Sequence, residues 1–104
     1  NSTNFFIVRD SEVWTSTGEY CLNGVTRSAI IDLCRANNIT VLEKNFLTTD
    51  VHTADEAFVT GTFAGVLPVT LVDDHVLSGG HRGPHTKKLQ DWYSNEIDKR
   101  YPGK

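Results

Sequence analysis

The 104-residue sequence predicts an α+β fold in which strands pack against helices. Two observations carry that expectation. Short runs rich in aromatic and β-branched residues, bounded by Gly, Asn, Asp and Ser, read as strands. Two longer stretches place their apolar residues at helical spacing on one side.

The elements follow in order. Phe5-Phe6-Ile7-Val8 is strand-like, Arg9-Asp10-Ser11-Glu12 is a polar turn and Val13-Trp14-Thr15 returns, so the start reads as a β-hairpin. Residues 15–23 concentrate Ser, Thr, Gly and Asn and read as a loop. From Thr26 a helix is expected, because Ala29, Ile30, Leu33 and Cys34 share a face while Arg27, Asp32 and Arg35 fall elsewhere. Thr26 is the expected N-cap and Asn37-Asn38 the expected stop. Residues 39–43 then form a strand, Thr48-Thr49-Asp50 opens a short helical segment reaching Ala54, and residues 57–60 form a buried strand. Residues 66–72 are rich in β-formers, and Asp73-Asp74 turns them into His75-Val76-Leu77 as a second hairpin. After an irregular loop at residues 79–84, Thr86 is expected to cap a last helix in which Leu89, Trp92, Tyr93, Glu96 and Ile97 share one side.

A chain of this length makes one domain at most, and its buried fraction is smaller than a full-sized enzyme reaches. A net charge of -3 and a pI near 5.7 give no long-range attraction for nucleic acid or an anionic membrane, so neither is an expected partner. No run approaches membrane-spanning length, and no basic-then-apolar start reads as a signal peptide. Cys21 and Cys34 have the option of pairing, but Cys34 sits in a helical apolar stripe and reads as a buried reduced thiol. The chain contains no Met and opens with Asn1-Ser2-Thr3-Asn4 directly before a strand, which reads as a break inside a longer polypeptide.

Two short turns carry the chemistry. Leu22-Asn23-Gly24-Val25-Thr26-Arg27 opens the first helix, where unpaired backbone N–H groups, the positive end of the helix dipole and a Thr hydroxyl suit an anion such as phosphate. Thr60-Gly61-Thr62-Phe63-Ala64-Gly65 closes an apolar strand with small residues that let the backbone approach a ligand, plus the Thr62 hydroxyl. Together they predict a pocket for a phosphorylated small molecule.

These turns also carry a resemblance. Residues 22–30, residues 54–62, Leu67-Pro68-Val69 and residues 83–90 together resemble four blocks, in order, of the class IV aminotransferases. These are the fold-type IV enzymes dependent on pyridoxal 5'-phosphate (PLP), which include branched-chain and D-amino acid aminotransferases and aminodeoxychorismate lyase. The resemblance spans nearly the whole chain and only the C-terminal third or so of such an enzyme. It therefore implies that residues 1–104 are part of the large, PLP-binding C-terminal domain, with a mixed sheet or pseudo-barrel, and that the N-terminal domain lies outside the chain.

The resemblance also implies roles. The backbone N–H groups of Val25 and Thr26 and the Thr26 side chain would bind the phosphate, with Gly24 permitting the turn; Thr62, after Gly61, would add a contact. Leu22 would pack on the coenzyme ring, and the amides of Thr62 and Phe63 would receive the substrate α-carboxylate. The Schiff-base lysine lies upstream of the region matched, so Lys44, Lys87, Lys88, Lys99 and Lys104 correspond to no catalytic position, and the chain carries no catalytic residue. The glutamate facing the pyridine nitrogen would lie just before residue 1, leaving Ser2 and Thr3 beside the coenzyme.

Other constellations read as structural. Asp55 and Glu56 are adjacent and point to opposite faces of a strand, so they do not pair as acid and base. Arg27 reads as an ion-pair partner. His52, His75, His81 and His85 have neither zinc-finger nor His-Glu-x-x-His spacing, so no metal is expected, and no serine sits in a nucleophile elbow. Phe63 and Gly65 stand where branched-chain enzymes often carry Ala and Glu, which leaves the substrate class open.

The implied activity is transfer of an amino group between an amino acid, of branched-chain type, and a 2-oxo acid, in a cytoplasmic homodimer. The alternatives are a PLP lyase of the aminodeoxychorismate type and a non-catalytic module that binds a phosphorylated ligand. The fragment alone is expected to be inactive.

Overall fold

The computed structural model describes residues 4–16, 25–61 and 65–100. Residues 17–23 of the loop expected at 15–23 lie outside them, as do residues 101–104. Strand β1 (Asn4–Arg9) and strand β2 (Glu12–Thr15) form the first hairpin, with Phe6 opposite Thr15 and Arg9 opposite Glu12. Asp10 and Ser11 turn it at positive φ of 50° and 66°, the geometry that matches the twist of a two-residue hairpin. Asp55 Oδ2 accepts the Asp10 N–H at 3.0 Å, which explains the acid at that position without catalysis.

Helix α1 (Val25–Ala36) ends as expected: Asn38 takes a left-handed φ of 61°, and the Ile39 N–H reaches back to the Cys34 carbonyl at 2.8 Å. Its start corrects the expected cap. Thr26 lies inside the first turn, and its hydroxyl donates to the Gly61 carbonyl. Strand β3 (Val41–Glu43) begins two residues later than expected and runs parallel to β2. Helix α2 (Thr48–His52) is opened by Asp50, whose Oδ2 accepts the Leu47 N–H at 2.8 Å.

Strand β4 (Glu56–Gly61) inserts beside β1, and strand β5 (Gly65–Pro68) pairs with β4. The run from 66 to 72 is therefore not one strand. It leaves the sheet after Val69, whose N–H still bonds to Ala57 O at 2.8 Å, and Leu71–Val72 (β6) pairs separately with His75–Val76 (β7). Pro68, lacking an N–H, is tolerated because β5 is an edge. A 3-10 turn at Ser78–Gly80 leads to the last helix, α3 (Pro84–Arg100).

The five-stranded sheet runs β3-β2-β1-β4-β5, parallel only at β2–β3. It is open, and among the described residues no strand closes it into a barrel. Alternation along β1 and β4 feeds two cores. On one face Phe6, Val8 and Phe58 meet Ile30, Ile31 and Cys34 of α1 and Leu89 of α3, with Phe6 and Phe58 stacked at 4.8 Å. On the other Ile7 and Ala57 meet Val51, Ala54 and Leu77. No described helix is long and apolar enough to cross a membrane.

Helix α3 begins two residues before the expected Thr86 cap, with Pro84 in the first position, where its missing N–H costs nothing. The cap comes from elsewhere. Glu56 at the start of β4 is only 4% exposed, and its Oε1 accepts the Thr86 N–H at 2.8 Å and the Thr86 hydroxyl at 2.9 Å. Its Oε2 accepts the His85 N–H at 3.0 Å and lies 3.0 Å from His85 Nδ1. A carboxylate at a helix N-terminus also meets the positive end of the dipole. Gly83 permits this approach, since a Cβ there would collide with the Glu56 carboxyl group.

Replacing Glu56 by Ala orphans the buried donors of the first turn of α3, and urea unfolding is expected to show a loss of about 3 kcal/mol. Gly83→Ala displaces the same carboxylate and is expected to destabilise in the same direction, with little added loss in the double variant. Burial raises the Cys34 thiol from an ordinary 9.0 to about 11, partly opposed by the Arg35 charge. The folded state therefore keeps a proton that the unfolded chain loses. The stability this contributes is complete below pH 9 and falls away as the pH rises to about 11. In a Cys21→Ser background, iodoacetamide at pH 8 is expected to label Cys34 only as fast as the protein opens.

Candidate functional site

The two turns singled out in the sequence meet through one side chain. Thr26, 5% exposed, sets its Oγ 3.4 Å from the carbonyl oxygen of Gly61, 35 residues away, and 3.2 Å from the hydroxyl of Tyr93. The first turn of α1 thus abuts the end of β4, and α3 reaches both. Packing dictates the meeting: Ile30, Ile31 and Cys34 seat α1 on the face of the sheet that carries Phe58 and Thr60, which brings the helix start to the strand end.

Of the residues picked from sequence, Thr26 and Gly61 are brought into contact, and Val25 begins α1. Leu22, Gly24, Thr62 and Phe63 lie outside the described residues. Apart from its chain neighbours, an added Cβ at Gly61 would meet none of the described residues within 4 Å, so none of them crowds the Gly61 Cα. The neighbouring Thr60 is 1% exposed and its hydroxyl has no partner among the described residues. A helix N-terminus, a threonine hydroxyl and an uncrowded glycine suit an anionic group such as a phosphate.

Arg27 serves the scaffold, as the sequence reading expects. It is 7% exposed, donates to the Ser16 carbonyl at 2.8 Å and to Glu43 Oε1 at 3.0 Å, and so ties α1 to β3. Its Nε has no partner among the described residues. The lysines stand elsewhere: Lys44 lies 4.0 Å above the Trp14 ring and Lys87 pairs with Asp91 at 2.9 Å. Among the described residues no three His, Cys, Asp or Glu side chains gather as metal ligands.

Sequence reasoning missed one participant of the site and one cap of the scaffold. Tyr93 was legible as an inward-facing residue of α3, but its contact with Thr26 joins positions 67 apart and has no local signal. The capping role of Glu56 likewise joins β4 to α3 across about thirty residues. A glycine before Pro84 was the available hint, because it marks a helix start with no side chain of its own to cap it.

The amino-transferase class IV family model matches residues 1–72, which include both turns. The chain is 42% identical over 90 residues to a branched-chain-amino-acid aminotransferase of Pseudomonas aeruginosa, covering 86% of this chain and 29% of that protein. It is 37% identical over 98 residues to a D-alanine aminotransferase of Listeria innocua, covering 93% of this chain and 34% of that one. Among solved structures, the branched-chain amino acid aminotransferase of Escherichia coli superposes with a TM-score of 0.86 at 35% identity, over 90% of this chain and 31% of that one. A second branched-chain amino acid aminotransferase (T.th.), complexed with N-(5'-phosphopyridoxyl)-L-glutamate, superposes at 0.90 with 30% identity, over 97% of this chain and 34% of that one. The chain spans about a third of the length of these relatives. With the family match covering both turns and the fold shared over nearly its full length, the chain belongs to the class IV amino-transferases.

Proposed function

We propose that residues 1–104 form part of the C-terminal domain of a PLP-dependent aminotransferase and supply the phosphate and substrate-carboxylate half of its pocket. The observation that carries this reading is the contact of Thr26 with Gly61, which sets the first turn of α1 and a hydroxyl beside a glycine at the end of β4 that no described residue crowds. A solved relative that holds pyridoxamine 5'-phosphate supports it.

When bound, PLP supplies an aldehyde that takes up the amino group and a ring that withdraws electrons from the substrate α-carbon. The residues of this chain bind and orient. The first-turn N–H groups of α1, at Val25 and Thr26, hold the phosphate with the Thr26 hydroxyl; Gly24 permits the turn and Gly61 the close approach. Thr62 adds its hydroxyl, Leu22 covers the ring face, and the amides of Thr62 and Phe63 receive the α-carboxylate. Fixed amide donors neutralise that carboxylate without burying a second full charge. Proton transfer falls to a lysine outside residues 1–104, so these residues alone do not transaminate.

The donor and acceptor are an amino acid and a 2-oxo acid. The names of the Pseudomonas aeruginosa and Escherichia coli relatives support branched-chain amino acids as substrates, and that of the Listeria innocua relative supports D-alanine as a second reading. A homodimeric assembly and a cytoplasmic location accompany the reading through the family resemblance.

The intact protein is expected to form glutamate from 2-oxoglutarate with L-leucine or L-valine, and D-alanine in their place separates the second reading. Release of pyruvate from aminodeoxychorismate, with no glutamate formed from any amino acid, would replace transfer by the lyase chemistry. Thr26→Val, which keeps the shape and removes the hydroxyl, is expected to weaken PLP binding roughly tenfold or more, as loss of a charge-assisted hydrogen bond does. Unchanged affinity would overturn the assignment of the phosphate seat.

A further inference from the structure

A threonine hydroxyl has one proton to give and two lone pairs to satisfy. In this structure the Thr26 hydroxyl faces two partners, the Gly61 carbonyl at 3.4 Å and the Tyr93 hydroxyl at 3.2 Å. The carbonyl can only accept, so it competes with an incoming anion for the single Thr26 proton. The Tyr93 hydroxyl can donate, and its donation leaves the Thr26 proton free to turn. We propose that Tyr93 is a positioning residue of the phosphate seat, holding the Thr26 hydroxyl by donation so that its proton points to the anion.

The phenol is fixed well enough for the task. Its ring lies against the backbone of Gly65, which takes φ +69° and where an added Cβ would stand 3.4 Å from Tyr93 Cδ2 and Cε2. Gly65 is the register partner of Gly61, so the ring rests on the strand that pairs with the end of β4. One helical turn back, Gln90 Nε2 donates to the Val66 carbonyl at 2.8 Å and Leu89 is fully buried, which fixes the rotation of α3 about its axis. The Gly61 carbonyl, at a separation near the limit for a hydrogen bond, is the partner most readily released. Release leaves a chain running one way, from the Tyr93 hydroxyl to Thr26 Oγ and from the Thr26 proton to the anion, in which each bond polarises the next.

The proposal rests on the reading of this site as a phosphate seat, and the test keeps the two apart. PLP dissociation constants are measured on the intact apoprotein for wild type, Tyr93→Phe, Thr26→Val and the double variant, with melting temperatures alongside. Tyr93→Phe keeps the ring on Gly65 and is expected to melt close to wild type while binding PLP about three- to tenfold more weakly. The double variant is expected to bind no more weakly than Thr26→Val alone, because Tyr93 acts through Thr26. The phosphorus resonance of the bound coenzyme is expected to shift in Tyr93→Phe, which loss of remote packing would not produce. If Tyr93→Phe binds as wild type while Thr26→Val is weakened, the role of Tyr93 falls and the seat stands. Fully additive losses overturn it as well, since Tyr93 would then act by another route. If Thr26→Val binds as wild type, the seat itself falls and the role of Tyr93 with it.

Discussion

The buried carboxylate of Glu56 holds the molecule to its shape. It accepts hydrogen bonds from two backbone amides and the Thr86 hydroxyl at the start of α3, with His85 Nδ1 beside it, and it does so from the first residue of β4. A helix start buried without acceptors is expensive, so the strand and the helix are obliged to meet in one arrangement. Gly83 leaves no side chain to compete for that space. Once α3 is pinned at this end, Leu89, Gln90 and Tyr93 follow at fixed positions along β5 and beside α1.

The candidate site is the far end of that arrangement. Glu56 and Gly61 are the two ends of β4, and α3 runs between them: its first turn caps on Glu56 and its third reaches Thr26 and the Gly61 region. The strand therefore joins scaffold and pocket. Arg27 does the corresponding work for α1, since its buried guanidinium holds residue 16 and Glu43 and keeps the helix start from sliding along the sheet. Neither charged group belongs to the pocket, yet together they place the pocket's hydroxyl.

Local patterns were legible wherever a local rule operates. The first hairpin, the Asn38 stop of α1, the Asp50 start of α2 and the Asp73-Asp74 turn each follow from residues within a few positions of one another. The misreadings share a cause. Thr26 and Thr86 were expected to cap their own helices, because a threonine near a helix start usually does. In both cases a partner from another element took the hydroxyl: the Gly61 carbonyl and Tyr93 for Thr26, the Glu56 carboxylate for Thr86. The run at 66–72 was broken by geometry outside itself, since β5 pairs with β4 while β6 pairs with β7 in a separate two-stranded sheet.

Composition and periodicity by themselves determined the strand runs, the first hairpin and the two amphipathic helices, because turn chemistry and apolar spacing are properties of short segments. The resemblance carried by four short blocks was equally a matter of sequence. Only the tertiary structure decided that Thr26 and Gly61 touch, that Tyr93 stands behind them and that Glu56 caps a helix far along the chain. Those contacts cost loop closure and are repaid by burial and by satisfying polar groups in the interior, and neither quantity is written in any one segment.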